Sequence, residues 1–248
     1  MTQGARLAAG WCMHDTDRLT AAANATGERF VRRGVGVESV QAICFDAFGT
    51  LCRIDERHHP YERLFARLSL DDVACYDAVR LGMTTSMGLA ELAARLGDVR
   101  AAEGLAPALD AELASMSLFD DAAEALTILK EAGVRTWVVS NLAAPYGPPL
   151  RRLLSGLVHG YSLSFEVGLT KPEPAMFAHA CRGLAVTADQ TLMVGDSRRS
   201  DVKGAEAFGM HAVWLRRGRA GDWPCSVSTL RELTDRRAGS APDTGRGQ

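Results

Sequence analysis

Cys44-Phe45-Asp46-Ala47-Phe48-Gly49-Thr50-Leu51 decides the fold. It follows a short apolar run, Val40 to Phe45, in which Gln41 alone is polar. Such a run reads as a parallel strand buried on both faces. It ends at a carboxylate, and a glycine and a hydroxyl follow. In open α/β sheets, chemistry gathers beyond the carboxyl ends of the strands, so Asp46 stands where a nucleophile or a metal ligand would. The same residues also suit an ordinary strand exit, with Asp46 hydrogen-bonded to its own turn. The stretch alone leaves both readings open.

Three further stretches lie downstream, each at an expected strand or loop end. Val138-Val139-Ser140-Asn141 closes the next core strand with a hydroxyl and an amide. Such groups hydrogen-bond an anionic oxygen without adding charge, and they also form ordinary turns. Thr170-Lys171-Pro172-Glu173-Pro174 sets a lysine before a stiff Pro-x-Pro turn that leads into a helix. Proline fixes the backbone there, so Lys171 can be aimed at one place, as a compact charge for a phosphate, or it is a solvated lysine at a helix start. Lysine is rare in this chain, at positions 130, 171 and 203 alone, which favours the first reading. Last comes Val194-Gly195-Asp196-Ser197-Arg198-Arg199-Ser200-Asp201. Asp196 ends a strand and Asp201 opens the next helix. Each has a local explanation, as a loop cap and as an acid at a helix N-terminus. Together with Asp46 they would repel one another unless a cation or a lysine joined them. Hard carboxylate oxygens of this kind suit Mg²⁺.

Between the first two stretches the pattern is helical. Pro60 to Leu70, Asp71 to Leu81, Gly88 to Leu96 and Pro107 to Ser115 are rich in Ala, Leu, Glu and Arg and carry no strand signal. From Phe119 onward strands and helices alternate: a helix over Asp121 to Ala132, strands at Val134 to Ser140, Tyr161 to Phe165, Thr191 to Gly195 and His211 to Leu215, and helices between them. This alternation predicts an α/β fold, a doubly wound parallel sheet with helices on both faces. The expected organisation is an α/β core over 39–52 and 118–237, a small helical insertion over 53–117, an N-terminal extension over 1–38 and a disordered Gly- and Pro-containing tail over 238–248. Within the extension, Thr16 to Arg29 reads as a short amphipathic helix.

The net charge of −2 gives no pull toward nucleic acid or an anionic membrane. No apolar run is long enough to span a bilayer, and Met1 to Trp11 lacks the apolar core of a secretory signal. The six cysteines show no C-x-x-C spacing, which fits reduced thiols in a cytoplasmic protein. The expected partner is a small anionic molecule. Arg-Arg pairs at 151–152, 198–199 and 216–217 suit an anionic substrate or plain surface charge.

The four stretches, in this order, resemble the haloacid dehalogenase-like hydrolase superfamily over about residues 40 to 216, with the insertion in the place of its small helical cap. The resemblance implies a Rossmann-like core and assigns roles. Asp46 is the nucleophile, Thr50 supports its loop, and Ser140 and Asn141 bind the transferred group. Lys171 neutralises charge, while Asp46, the carbonyl of Phe48, Asp196 and Asp201 hold Mg²⁺. Phosphatases of the superfamily usually carry a second Asp two residues after the nucleophile, and here that position is Phe48. Asp-Ala-Phe-Gly-Thr-Leu is instead similar to its 2-haloacid dehalogenases, which use no metal. Gly195-Asp196 points back to the Mg²⁺ enzymes, and Phe177 stands where the dehalogenases usually have Tyr. A phosphonatase would need a cap lysine as Schiff base, and 53–117 contains none. The expectation is therefore a Mg²⁺-dependent phosphatase working through an aspartyl-phosphate at Asp46, with His58 or His59 as candidate proton donors. The alternatives are a metal-independent 2-haloacid dehalogenase and a phosphometabolite-binding protein without turnover.

Overall fold

Ala42–Phe45 (β1) is apolar at every position and wholly buried, and it lies inside a parallel sheet with a neighbour on each side. The computed structural model describes residues 40–219 and 225–238. The expectations for residues 1–38, including the helix over Thr16 to Arg29, and for the tail beyond 238 lie outside the described residues. β1 pairs with Arg135–Ser140 (β4) on one side and with Thr191–Gly195 (β6) on the other. Gly160–Leu163 (β5), His211–Leu215 (β7) and Ser226–Val227 (β8) extend the sheet, in the order β5-β4-β1-β6-β7-β8, all parallel.

Alternation along β1 sorts its side chains to the two faces. Ile43 and Phe45 join the core that includes Leu126 and Leu129 of helix Asp120–Glu131. Ala42 and Cys44 join a second core with Met193 and with Phe177 and Ala180 of helix Pro174–Leu184. Two cores on opposite faces of one sheet are the doubly wound arrangement that the alternating pattern predicts.

Four helices form the insertion: α1 (Pro60–Leu68), α2 (Asp72–Thr84), α3 (Leu89–Arg95) and α4 (Ala106–Ala114). Pro60 opens α1, and Tyr61, Leu64 and Phe65 form its buried stripe at helical spacing. The Asp71 carboxylate caps α2 by accepting from Ala74 N at 2.8 Å. The apolar residues of these helices are continuous with the Ile43–Phe45 core.

No strand is expected here from the residue pattern, yet the insertion leaves and re-enters through a two-stranded antiparallel pair, Cys52–Ile54 (β2) and Met116–Leu118 (β3). Three residues are too few to establish a period-two pattern. The remaining core helices are α5 (Asp120–Glu131), α6 (Gly147–Leu153), α7 (Ser164–Val167), α8 (Pro174–Leu184), α9 (Gly204–Phe208) and α10 (Arg231–Ala238). The helix expected to open at Asp201 begins instead as a wide π-helical turn over Arg198–Lys203. Such turns concentrate at functional sites, and this one carries Asp201.

Candidate active site

The carboxyl ends of β1, β4 and β6 lie side by side, so Asp46, Ser140 and Gly195-Asp196 converge at one edge of the sheet. Lys171 enters from the loop before α8. Its Nζ donates to Asp46 Oδ1 and to Asp201 Oδ1, each at 2.6 Å, and all three residues are buried. Carboxylate oxygens of Asp46, Asp196 and Asp201 come within 4.8 Å of one another. Gly195 makes this approach possible. A Cβ there would stand 2.2 Å from Asp201 Oδ2, closer than any side chain allows. The same Oδ2 is fixed by Ser197 N, which donates to it at 2.9 Å.

Electrostatics follow from this packing. Burial pushes the Asp46 pKa up, Lys171 pulls it back, Asp196 adds to the rise, and the net shift is upward. Asp201 is raised to about 6, by burial first and by Asp46, against the pull of Lys171. Burial acts against the Lys171 ammonium, but Asp201 and Asp46 outweigh it and raise its pKa. One ammonium thus bridges two of the three carboxylates, Asp46 and Asp201.

Two buried hydroxyls, Thr50 Oγ1 and Ser140 Oγ, have no partner among the described residues. Orphan donors beside the Asp46 loop suit the oxygens of an anionic ligand. The Asn141 side chain faces the lysine loop. Its Nδ2 donates to Lys171 O at 3.0 Å and its Oδ1 accepts from Lys171 N at 2.7 Å, so it holds the lysine's own backbone.

Phe48 is fully buried, with its ring edge-on to Tyr146 at 5.9 Å between centroids. Its carbonyl stays outside the turn bonds: Ala47 O takes both Leu51 N and Cys52 N. The imidazoles of His58 and His59 lie near Glu56 and Glu62 on the exposed side of the insertion, and neither is bonded to Asp46. Their backbone amides donate to the buried Glu112 at 2.6 Å each, and the Tyr146 hydroxyl donates to its other oxygen at 2.5 Å.

Glu112, Arg217 and Asp121 were not legible as site residues. Arg217 donates to the carbonyls of Gly49 and Thr50 and, through both terminal nitrogens, to Asp121. It therefore braces the nucleophile loop from behind, where its Arg-Arg pair suggested surface charge. Arg151, from another pair, does lie on the surface, bound to Glu166. Asp121 gave no signal, because an acid in the first turn of a helix is ordinary.

Three clustered carboxylates, a main-chain carbonyl and two hydroxyls fit a hard divalent cation that keeps several waters. Asp46, Asp196, Asp201 and the Phe48 carbonyl are the residues that would hold it.

The family model for haloacid dehalogenase-like hydrolases matches residues 40–209. A phosphoserine phosphatase of Thermus thermophilus is 33% identical over 136 residues, covering 52% of this chain and 53% of that protein. The chain thus spans about half the length of that relative. A phosphoglycolate phosphatase of Rhodospirillum rubrum is 31% identical over 219 residues, covering 79% of this chain and 87% of that protein. The crystal structure of a HAD phosphatase from Thermococcus onnurineus superposes with a TM-score of 0.59 at 23% identity, covering 81% of this chain and 99% of that one. That likeness speaks to the fold. Among the described residues, no helix is long and apolar enough to cross a membrane.

Proposed function

This chain belongs to the haloacid dehalogenase-like hydrolase family, and from that premise we propose that it is a Mg²⁺-dependent phosphatase of a small phosphorylated metabolite. The observation that carries this reading is the cluster of carboxylates around Lys171, which lies 2.6 Å from each of two buried ones with a third beside them. A dianionic phosphate entering beside three clustered carboxylates is repelled unless added positive charge stands between them. A divalent ion supplies that charge and polarises the phosphoryl group. The phosphatase names of the two relatives lend support.

In this reading Asp46 attacks phosphorus in line, the P–O bond to the leaving group breaks, and an aspartyl-phosphate forms that water then hydrolyses. Lys171 orients Asp46 and offsets charge on the phosphoryl oxygens. Ser140 and Thr50 donate their unused hydroxyls to those oxygens. Asn141 and Ser197 hold Lys171 and Asp201 in register. We place the enzyme in the cytoplasm, in keeping with the free thiols of Cys44, Cys52, Cys75, Cys181 and Cys225.

The test is phosphate release from an activated aryl phosphate, with Mg²⁺ and with chelator, in wild type and Asp46→Asn. Turnover that needs both Mg²⁺ and Asp46 upholds the reading, and no turnover in folded protein overturns it. Phe48 favours one second reading, a hydrolytic dehalogenase, because a buried hydrocarbon ring cannot protonate an alkoxide and halide needs no proton. Metal-independent chloride release from a 2-chloro acid would establish that reading instead.

A further inference from the structure

The Lys171 loop is gripped from two sides. On the core side Asn141 clamps its peptide, with both ends of one amide. On the other side the grip comes from the helical insertion. Arg80 of α2 donates through Nη1 to Glu173 Oε1 at 2.7 Å and reaches Thr170 Oγ1 at 3.4 Å. Glu173 Oε1 also accepts from Thr170 Oγ1 at 2.7 Å and Thr170 N at 3.1 Å, and Glu173 N closes the turn onto Thr170 O at 2.8 Å. Thr170 to Glu173 is thus one closed turn. Lys171 lies inside it and an arginine from the insertion is bolted to its outer face. The same helix packs against α7, so it covers this edge of the core.

We propose that Arg80 is a positioning residue for Lys171: through Glu173 it transmits the seating of the insertion to the lysine that bridges Asp46 and Asp201. With the insertion seated, the turn is held and the ammonium stands between the two carboxylates. With it lifted, Glu173 keeps only Thr170, and the turn loses its outer support. The ordering of the nucleophile is thereby tied to the covering of the site. This rests on the reading of Asp46 and Lys171 as the reacting pair. Arg80 and Glu173 are 41% and 33% exposed, and so open an ion pair adds little to folding stability. Removing it leaves a folded chain in which the coupling can be measured.

The experiment compares wild type, Arg80→Ala, Arg80→Lys and Glu173→Gln by melting temperature, by kcat and KM on an aryl phosphate at saturating Mg²⁺, and by hydrogen–deuterium exchange of residues 168–173. Displacing a reacting group by about 1 Å costs on the order of a hundred-fold, and a partly released turn should cost less. The expected result for Arg80→Ala is a kcat lower by roughly ten-fold with KM nearly unchanged, faster exchange at Thr170 and Lys171, and an unchanged melting temperature. Arg80→Lys keeps the charge but loses the fork, and should recover the rate in part. Unchanged kcat and exchange would overturn the proposal, making the pair plain surface charge. A rise in KM alone would also overturn it, since Arg80 would then serve the substrate directly. If wild type releases no phosphate, the phosphatase reading falls and exchange alone decides: faster exchange upholds the strut, unchanged exchange removes it.

Discussion

Gly195→Ala adds one methyl group and should disable the site. The new Cβ would lie 2.2 Å from Asp201 Oδ2, 2.3 Å from its Cγ and 2.6 Å from its Cβ. The strand cannot retreat, because β6 is paired on both sides, to β1 and, through Gly195 itself, to Trp214 of β7. Asp201 must therefore move, and with it go the 2.6 Å contact to Lys171 and the 2.9 Å bond from Ser197 N. Overpacking costs about 1–3 kcal/mol, and breaking a buried ion pair about 3–5 kcal/mol. The two overlap, and Lys171 keeps Asp46, so a loss of about 3 kcal/mol is the working figure. For a chain of this size that lowers Tm by about 6–12 °C and leaves the protein folded. Activity should fall by about a hundred-fold or more, since the lysine loses its second anchor. Calorimetry and phosphate release read both effects. The cycle with Asp201→Gly isolates the cause: with the carboxylate and its Cβ both gone, Gly195→Ala should cost little further. A Tm for Gly195→Ala within about 2 °C of wild type would refute the argument from contact.

Further predictions follow from the same geometry. Lys171→Met leaves Asp46 and Asp201 without the ammonium they share. Without divalent ion it should be about 3–5 kcal/mol less stable than wild type, and adding Mg²⁺ should raise its Tm more than it raises that of wild type; equal gains would argue that the ion binds elsewhere. With Phe48 buried and no acid bonded to Asp46 among the described residues, wild type should hydrolyse aryl phosphates at least about a hundred-fold faster than alkyl phosphates. Similar kcat/KM across a leaving-group series would reveal a proton donor. Burial opposes the charge on Asp121, but Arg217 and Leu230 N more than offset it and hold its pKa below the usual carboxylate range. A carboxylate depressed in the folded state stabilises above its unfolded pKa, about 4, and that contribution fades as pH falls through the folded value. Urea midpoints should therefore fall on acidification from about pH 5 in wild type and less steeply in Asp121→Asn; parallel curves would remove Asp121 from the account.

How far the sequence could be read depended on the range of each interaction. Val40 to Phe45 and Thr191 to Gly195 announced buried parallel strands because burial on both faces demands apolar residues throughout. Asp46, Lys171 and Asp201 stood out because each sits at the end of an element with a clear start or stop. Their meeting at 2.6 Å is a matter of topology, since β1 and β6 are neighbours in space and far apart in the chain. The Asn141 amide was legible as a polar group at a strand end, but its partner, the Lys171 peptide, was not, because no local pattern encodes a bond across thirty positions. Glu112 was hidden for a similar reason. It sits among helix formers as any solvated acid would, and only the turn of the chain at His58 and His59 makes it buried. Nothing local in the sequence marks Arg80 and Glu173 as a pair, since they lie in different parts of the chain.

The place of β1 has a consequence for how the chain acquires its structure. This strand is complete by Phe45, yet Ala42 must wait for Arg135 on one side and Thr191 on the other. During synthesis from the N-terminus, the most apolar strand is made before either of its neighbours exists, and the whole insertion is made before the first of them. Contacts of such separation close slowly. Until they close, Ala42–Phe45 presents open edges to any other strand. Misassembly in a crowded or heated cell should therefore begin at β1, and substitutions that slow the arrival of β4 should lower the yield of folded protein more than its final stability.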